Sequence, residues 1–173
     1  MLQACIAEER YSKRSCMRKT ITPSDHIGPA GGDVTERVFC VFNKTEESFL
    51  AMSVTRADTS GSRLRGLLGR PALKSGEGRW VVPSHGVHTI GMLFAMDVVY
   101  LDAQDRVIHL IEHLTPFRIS PLRLKSASLL QLPLHTIHRS QTHVGDQLLI
   151  CQPDEMKEYM RRSVALQKVV QPS

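Results

Sequence analysis

Residues 87–102, VHTIGMLFAMDVVYLD, set a single carboxylate, Asp97, inside an otherwise apolar run. An ionised carboxylate in a low-dielectric interior is costly unless an arginine, backbone N–H groups or a metal compensates it. Asp97 therefore needs a partner. Two structural candidates are an arginine of the segment RLRGLLGR (63–70), Arg63 or Arg65, and backbone amides at the entrance to the strand. A functional reading would instead place Asp97 in a cleft.

Working outward, IGMLFAMDVVYL (90–101) and RVIHLIEHL (106–114) flank DAQD (102–105), the pattern of a hairpin between two strongly apolar strands. RVFCVFNKT (37–45) and SFLAMSVTRA (48–57), joined at Glu46–Glu47, predict another. SGEG (75–78) reads as a turn, WVV (80–82) as a short strand stopped by Pro83, and SHGVHT (84–89) as a loop. LLQLPL (129–134) and QLLIC (147–151) add strands. Before the latter, Gly145 can take a positive φ and Asp146 can bond the backbone of its own turn.

Between the second strand and SGEG the spacing predicts one short core helix. Thr59 or Ser60 caps it, Leu64, Leu67 and Leu68 recur at i, i+3, i+4, and Gly69 with Pro71 ends it. Gly66 inside it points to close backbone approach. After residue 151, Pro153 suits a first helical turn and Asp154 and Glu155 complement the dipole. Met156, Tyr159, Met160 and Val164 share a face, which is expected to pack on the protein's own sheet, and Glu158 can pair with Arg161 or Arg162. The expected fold is mainly β, a compact β-sandwich or barrel of about six or more short strands with one short core helix and a C-terminal helix.

The 173 residues suffice for one domain with a real core. Residues 1–36 are polar and aperiodic and end in PAGGD (29–33), so they are expected to be a disordered tail, or one that depends on where the chain is started. Residues 37–151 are expected to form a single mainly-β domain, and 152–173 a C-terminal helix and tail. No segment reaches the roughly 18 apolar residues of a membrane span, and the first thirty residues lack a secretory apolar stretch. The expected compartment is the cytoplasm. Cys5, Cys16, Cys40 and Cys151 show no C-x-x-C spacing and are read as reduced thiols. Cys40 opens the first strand-like run and Cys151 closes the last, so a closed sheet would bring them near each other, where a disulfide is the alternative.

The formal charge of +5 is not spread evenly. Residues 1–36 carry five basic and five acidic groups, residues 37–151 thirteen and nine, and residues 152–173 four and three. In the middle segment Arg63, Arg65 and Arg70 form one basic cluster and Arg118, Arg123 and Lys125 another, with no acid between them. Such clusters attract phosphates. No nucleic-acid motif or aromatic stacking platform accompanies them, so a solvated basic face, or arginines paired with buried acids, is the reading preferred over nucleic-acid binding.

Six ordered blocks carry a resemblance: RGLLGR (65–70), GEG (76–78), HTIGMLFAMDVVYLD (88–102), PFRISP (116–121), SLLQLP (128–133) and VGDQL (144–148). Together the set, over roughly residues 38–150, resembles the bacterial and archaeal family called domain of unknown function 192. The resemblance implies a small mainly-β fold and no defined activity. This chain has Ala95 where the family has proline, Asp105 where it has glycine, Gln131 where it has glutamate, and Leu134-His135 where it has a small Ala-Gly pair. Aspartate tolerates the left-handed region better than most residues. An amide at 131 cannot do the acid–base work a glutamate could.

The sharpest candidate site residues are His85, His88 and Asp97, a two-histidine-one-carboxylate set by residue type. Arg63, Arg65 and Arg70 are candidates for ligand binding or for an ion pair with Asp97. His109 and His113 share a strand face by simple alternation, but about 13 Å apart at Cα they are too distant to chelate jointly. His135, His138 and His143 read as solvated. No closed metal site and no cofactor is expected, and no Ser-His-Asp order, phosphate loop or nucleotide fingerprint supports an enzyme. Three functional readings follow. The preferred one is a non-enzymatic β-domain that binds a small ligand or protein partner between loop 83–92 and the basic helix. The alternatives are a metal-dependent or acid–base enzyme using His88 and Asp97, and a structural accessory domain docking through its C-terminal helix.

Overall fold

The computed structural model describes residues 37–57, 67 and 69–170, with side chains to residue 165. Among them are strands β1 (Val38–Asn43), β2 (Ser48–Ala57), β3 (Glu77–Val81), β4 (Met96–Leu101), β5 (Val107–Leu114), β6 (Ser128–Pro133) and β7 (Leu148–Cys151). They form one sheet in the order β5-β4-β6-β3-β2-β1-β7. Bulges in the β1–β2 and β4–β5 ladders add local twist and curl the sheet into a half-barrel. Its two edge strands meet at one end, where Val107 N–H donates to the Asp146 carbonyl (2.9 Å) and Leu148 N–H to that of Asp105 (3.0 Å). The mainly-β expectation therefore resolves to one curled sheet.

Both faces of the central strands are covered, and all six residues of β4 and of β6 are buried. That is why their sequences read as near-continuous apolar runs, interrupted by Asp97 in β4 and by Ser128 and Gln131 in β6. Val41, Leu50, Val54, Val99, Leu130 and Ile150 pack inside the curl. Val98, Tyr100 and Leu129 face the other way, under Met92, Leu67 and Leu73. Gly78 leaves no room for a side chain: a Cβ there would lie 2.9 Å from Leu132 Cδ2 and 3.1 Å from Val54 Cγ2.

The first hairpin forms as expected, β1 against β2. Three expectations need correction. Residues 90–95 are not strand: the buried Thr89 hydroxyl binds the 115–118 backbone, and Met92 N–H closes a turn on the Thr89 carbonyl (3.1 Å). Glu77 and Gly78 belong to β3 rather than to a turn, because they pair in parallel with Ser53 and Val54. A four-residue helix, α1 (Thr136–Arg139), was not expected and is too short to show periodicity. The helix anticipated over 59–69, with Gly66, falls largely outside the described residues, as does the 1–36 tail.

The C-terminal helix α2 (Pro153–Val170) packs Met156, Tyr159 and Met160 against Cys40, Phe42 and Leu149, while Val164 stays exposed. Glu158 holds both Arg161 (2.6 Å) and Arg162 (2.7 Å). Cys40 and Cys151 stand directly opposite each other across β1 and β7.

Asp97 is 1 % exposed and both carboxylate oxygens accept backbone N–H groups. Oδ1 takes the amide of His113 (3.1 Å) and Oδ2 that of Ile137 in the first turn of α1 (3.0 Å). Opposite Asp97 the register shifts from Val98↔Ile111 to Met96↔Leu114, so two residues of β5 oppose one of β4. Asp97 satisfies the amide this bulge leaves over. The bulge also flips the alternation, so His109 and His113 fall on opposite faces rather than one. At α1 the residue before the helix, His135, makes no side-chain cap, and Asp97 serves instead from another strand.

Asp105 (φ 60°) and His135 (φ 65°) both adopt the left-handed region. These are two positions where the resembled family carries glycine, and the backbone requirement persists here without it. We expect His135→Gly to raise stability by roughly 0.5–1 kcal/mol, relief of the left-handed strain outweighing glycine's extra chain entropy. Asp97→Ala strands two amide donors and should cost on the order of 3 kcal/mol, with Asp97→Asn costing less because one carbonyl oxygen remains. Urea denaturation checks both; an Asp97→Ala protein as stable as the parent would remove the carboxylate from this structural role.

Candidate functional site

Residues 84–89 of the segment 84–93 are paired with residues 117–127. Ser120 N–H donates to the Val87 carbonyl (2.9 Å), Thr89 N–H to that of Arg118 (2.8 Å) and Arg123 N–H to that of His85 (2.7 Å). His88 and Ile119 form a β-bridge. The fully buried Thr89 accepts the Arg118 amide at Oγ1 (2.9 Å) and donates to the Thr115 carbonyl (2.7 Å). Tyr100 on β4 donates its hydroxyl to Ser120 Oγ (2.6 Å), which also accepts Val87 N–H (2.8 Å). Burial pushes the Tyr100 hydroxyl's pKa up, against the opposing pull of the Ser120 bond and the Arg123 charge. The loop pair is thus fixed to the sheet before any partner arrives.

Its outer surface is apolar and basic. Ile90, Leu93, Phe117, Ile119, Leu122 and Leu124 are exposed, Ile119 by 74 % and Leu124 by 83 %. Arg118, Arg123 and Lys125 stand among them, as do the exposed His85 and His88. Neither 84–93 nor 115–126 contains an aspartate or glutamate. Six of the ten large apolar side chains found exposed among the described residues lie on this one loop pair. A concentration of that kind marks an interaction surface, whereas scattered exposed apolar residues do not.

Arg123 also reaches β5, where its Nη2 lies 3.1 Å from His109 Nε2. A guanidinium only donates, so this contact requires a neutral imidazole with Nε2 as acceptor. Desolvation, and then the Arg123 charge, hold the His109 pKa below its usual value.

The other sequence candidates are dispersed. His85 and His88 sit on the loop that packs with Val98 and Tyr100, whereas Asp97 points to the opposite face of β4, toward α1. The structure therefore does not bring the two histidines and Asp97 together. Arg70 pairs with Glu77 (3.6 Å) and lines a cleft of about 210 Å³ with Ser53, Thr55 and the buried Arg79. Gln131 stands opposite Arg79 across β3 and β6, its Oε1 buried without a hydrogen bond among the described residues. Arg63 and Arg65 lie outside the described residues. Loop 84–93 is set against 115–126, and Leu67 shares a core cluster with its Met92. Sequence reasoning singled out Arg118, Arg123 and Lys125 but missed the apolar residues alternating with them; the pattern F-R-I…L-R-L-K was the available signal.

The model of an uncharacterised family, DUF192, described as an uncharacterised ACR, matches residues 41–150. The chain belongs to the DUF192 family. None of the curated proteins compared with it matches. Two solved structures share the fold. One is a proposed transcription regulator from Sinorhizobium meliloti 1021, 17 % identical, with a TM-score of 0.59 over 69 % of this chain and 98 % of that one. The other is a protein of unknown function from Novosphingobium aromaticivorans DSM 12444, 18 % identical, with a TM-score of 0.56 over 75 % of this chain and 98 % of that one. At these identities the likeness extends to the DUF192 fold alone. Among the described residues no helix is long and apolar enough to cross a membrane.

The His109 contact gives a pH dependence with a definite sign. Its pKa is depressed in the fold, so its contribution is present above the unfolded value near 6.5 and lost as pH falls through the folded value. Urea midpoints measured between about pH 5 and 8 should fall on acidification, and His109→Gln should flatten that part of the profile. Identical profiles for the two proteins would show that the contact carries no linkage.

Proposed function

We propose that this DUF192 chain is a non-enzymatic binding domain whose loop pair 84–93/115–126 docks a protein partner bearing apolar side chains within an acidic surface. One observation carries the reading: the exposed apolar side chains are concentrated beside three cations and no acid, on backbone already fixed by hydrogen bonds. Preorganised backbone lowers the ordering entropy that binding would otherwise cost. Complementary charge gives register and speeds encounter. A second copy of the same surface is a poor partner, because like charges would face each other.

The enzyme reading using His88 and Asp97 draws no support from a shared cleft, since Asp97 is engaged with two backbone amides on the other face of β4. The accessory-domain reading draws less support, because Met156, Tyr159 and Met160 of α2 are turned onto the protein's own β1 and β7.

The test uses the full chain and the variant Ile119→Ser/Leu122→Ser, both sites being exposed and so removable without unfolding. A protein retained by the parent would be purified and titrated against both chains. Binding that weakens at least tenfold in the variant, and weakens further with added salt, is the expected result. Binding equal in the two chains, or binding to anionic phospholipid vesicles in place of any protein, would overturn the reading.

A further inference from the structure

At the seam where β7 closes on β1, the turn joining β1 to β2 meets the turn that leads into β7. Lys44 N–H donates to the Gln147 carbonyl (2.9 Å) and Gln147 N–H to Thr45 Oγ1 (3.0 Å), so the two turns are fastened side by side. Three potential donors converge there: a carboxylate oxygen of Glu46, a ring nitrogen of His143 and a carboxylate oxygen of Asp146, all within 4.8 Å of one another. We propose that Glu46, His143 and Asp146 bind a divalent first-row transition-metal ion, of which Zn²⁺ is the representative probe. This site is separate from the loop pair and does not depend on the docking reading.

The donor set decides the class of ion. One imidazole nitrogen with two carboxylate oxygens suits a borderline cation that accepts N and O ligands at about 2.0–2.2 Å. Calcium would instead call for six or more oxygens. His143 Nδ1 already lies 3.8 Å from Glu46 Oε1, a spacing two ligands of one small ion can span with a modest rotamer change. Two carboxylates against one neutral imidazole would leave a bound divalent ion close to neutralised.

The supports are built on one buried amide. Asn43, fully buried at the end of β1, accepts the backbone N–H groups of Thr45 (2.9 Å) and Glu46 (3.2 Å) at Oδ1. Its Nδ2 donates to Asp146 Oδ2 (2.7 Å), which also accepts His143 N–H (2.8 Å). The backbones of Glu46 and His143 and the side chain of Asp146 are therefore held relative to one another by Asn43. Asp146 is only 5 % exposed, and the hydrogen bonds that its carboxylate takes from Asn43 and His143 both fall on Oδ2. Oriented ligand carboxylates in metal sites are hydrogen-bonded by their surroundings in just this way. A metal ion here would give the exposed His143 a role where the sequence reading expected a solvated histidine and no metal. The sequence could not disclose the site, because Glu46 is almost a hundred positions from its partners.

The experiment titrates chelator-treated full chain with ZnCl₂ by calorimetry and follows its melting temperature. His143→Ala and Glu46→Gln remove exposed ligands and leave Asp146, which the fold needs, in place; His138→Ala is the control for adventitious surface histidine. One equivalent of Zn²⁺, a raised melting temperature, and affinity lowered at least tenfold in each ligand variant but not in His138→Ala are expected. No binding, or binding unchanged by His143→Ala and Glu46→Gln, would overturn the proposal.

Discussion

Asp97 is the point on which the rest of this half-barrel turns. Its carboxylate holds the amide that a β-bulge leaves unpaired in β5 and caps a short helix that follows β6, so one buried charge ties three consecutive neighbours in the sheet. The charge is tolerated because both oxygens are met by backbone dipoles that cannot move away. Without it the bulge would bury an unsatisfied amide. The bulge in turn sets which face each residue beyond Ile111 occupies.

That placement has consequences on the far side of β4. Tyr100 lies on the face opposite Asp97 and, through Ser120, anchors the loop pair that carries the exposed apolar and basic residues. His109, one bulge away from His113, faces the same side and takes Arg123. A surface that displays Ile119, Leu122 and Leu124 to water would collapse or pair nonspecifically if its backbone were loose; here Thr89 and Ser120 satisfy the backbone from beneath and leave the side chains outward. DUF192 membership gives this chain a fold without a function, so the reading of the surface rests on its own chemistry.

The seam is the second place where local and global structure meet. A curled sheet leaves two edges, and an open edge invites pairing with other chains. In this protein the edges are joined at one end by the turns around Asp105 and Asp146, and the buried Asn43 network fills the space behind them. Polar residues are used there because the turns bring many backbone amides together that apolar side chains could not satisfy.

Strand content, the first hairpin, the C-terminal helix with its buried Met156 and its Glu158 ion pairs, and the need of Asp97 for a partner were all legible in the sequence. Each rests on periodicity or on a desolvation cost that a single residue declares. The family was legible too, from six ordered blocks. Three-dimensional structure alone decided that 90–95 is turn and loop, that β2 and β3 run parallel, that a bulge separates His109 from His113, and that Asp97 binds the amides of residues 16 and 40 positions away. The physical reason is common to all of them: these features are hydrogen bonds between segments distant in the chain, and a side chain's type does not record which distant backbone group will satisfy it.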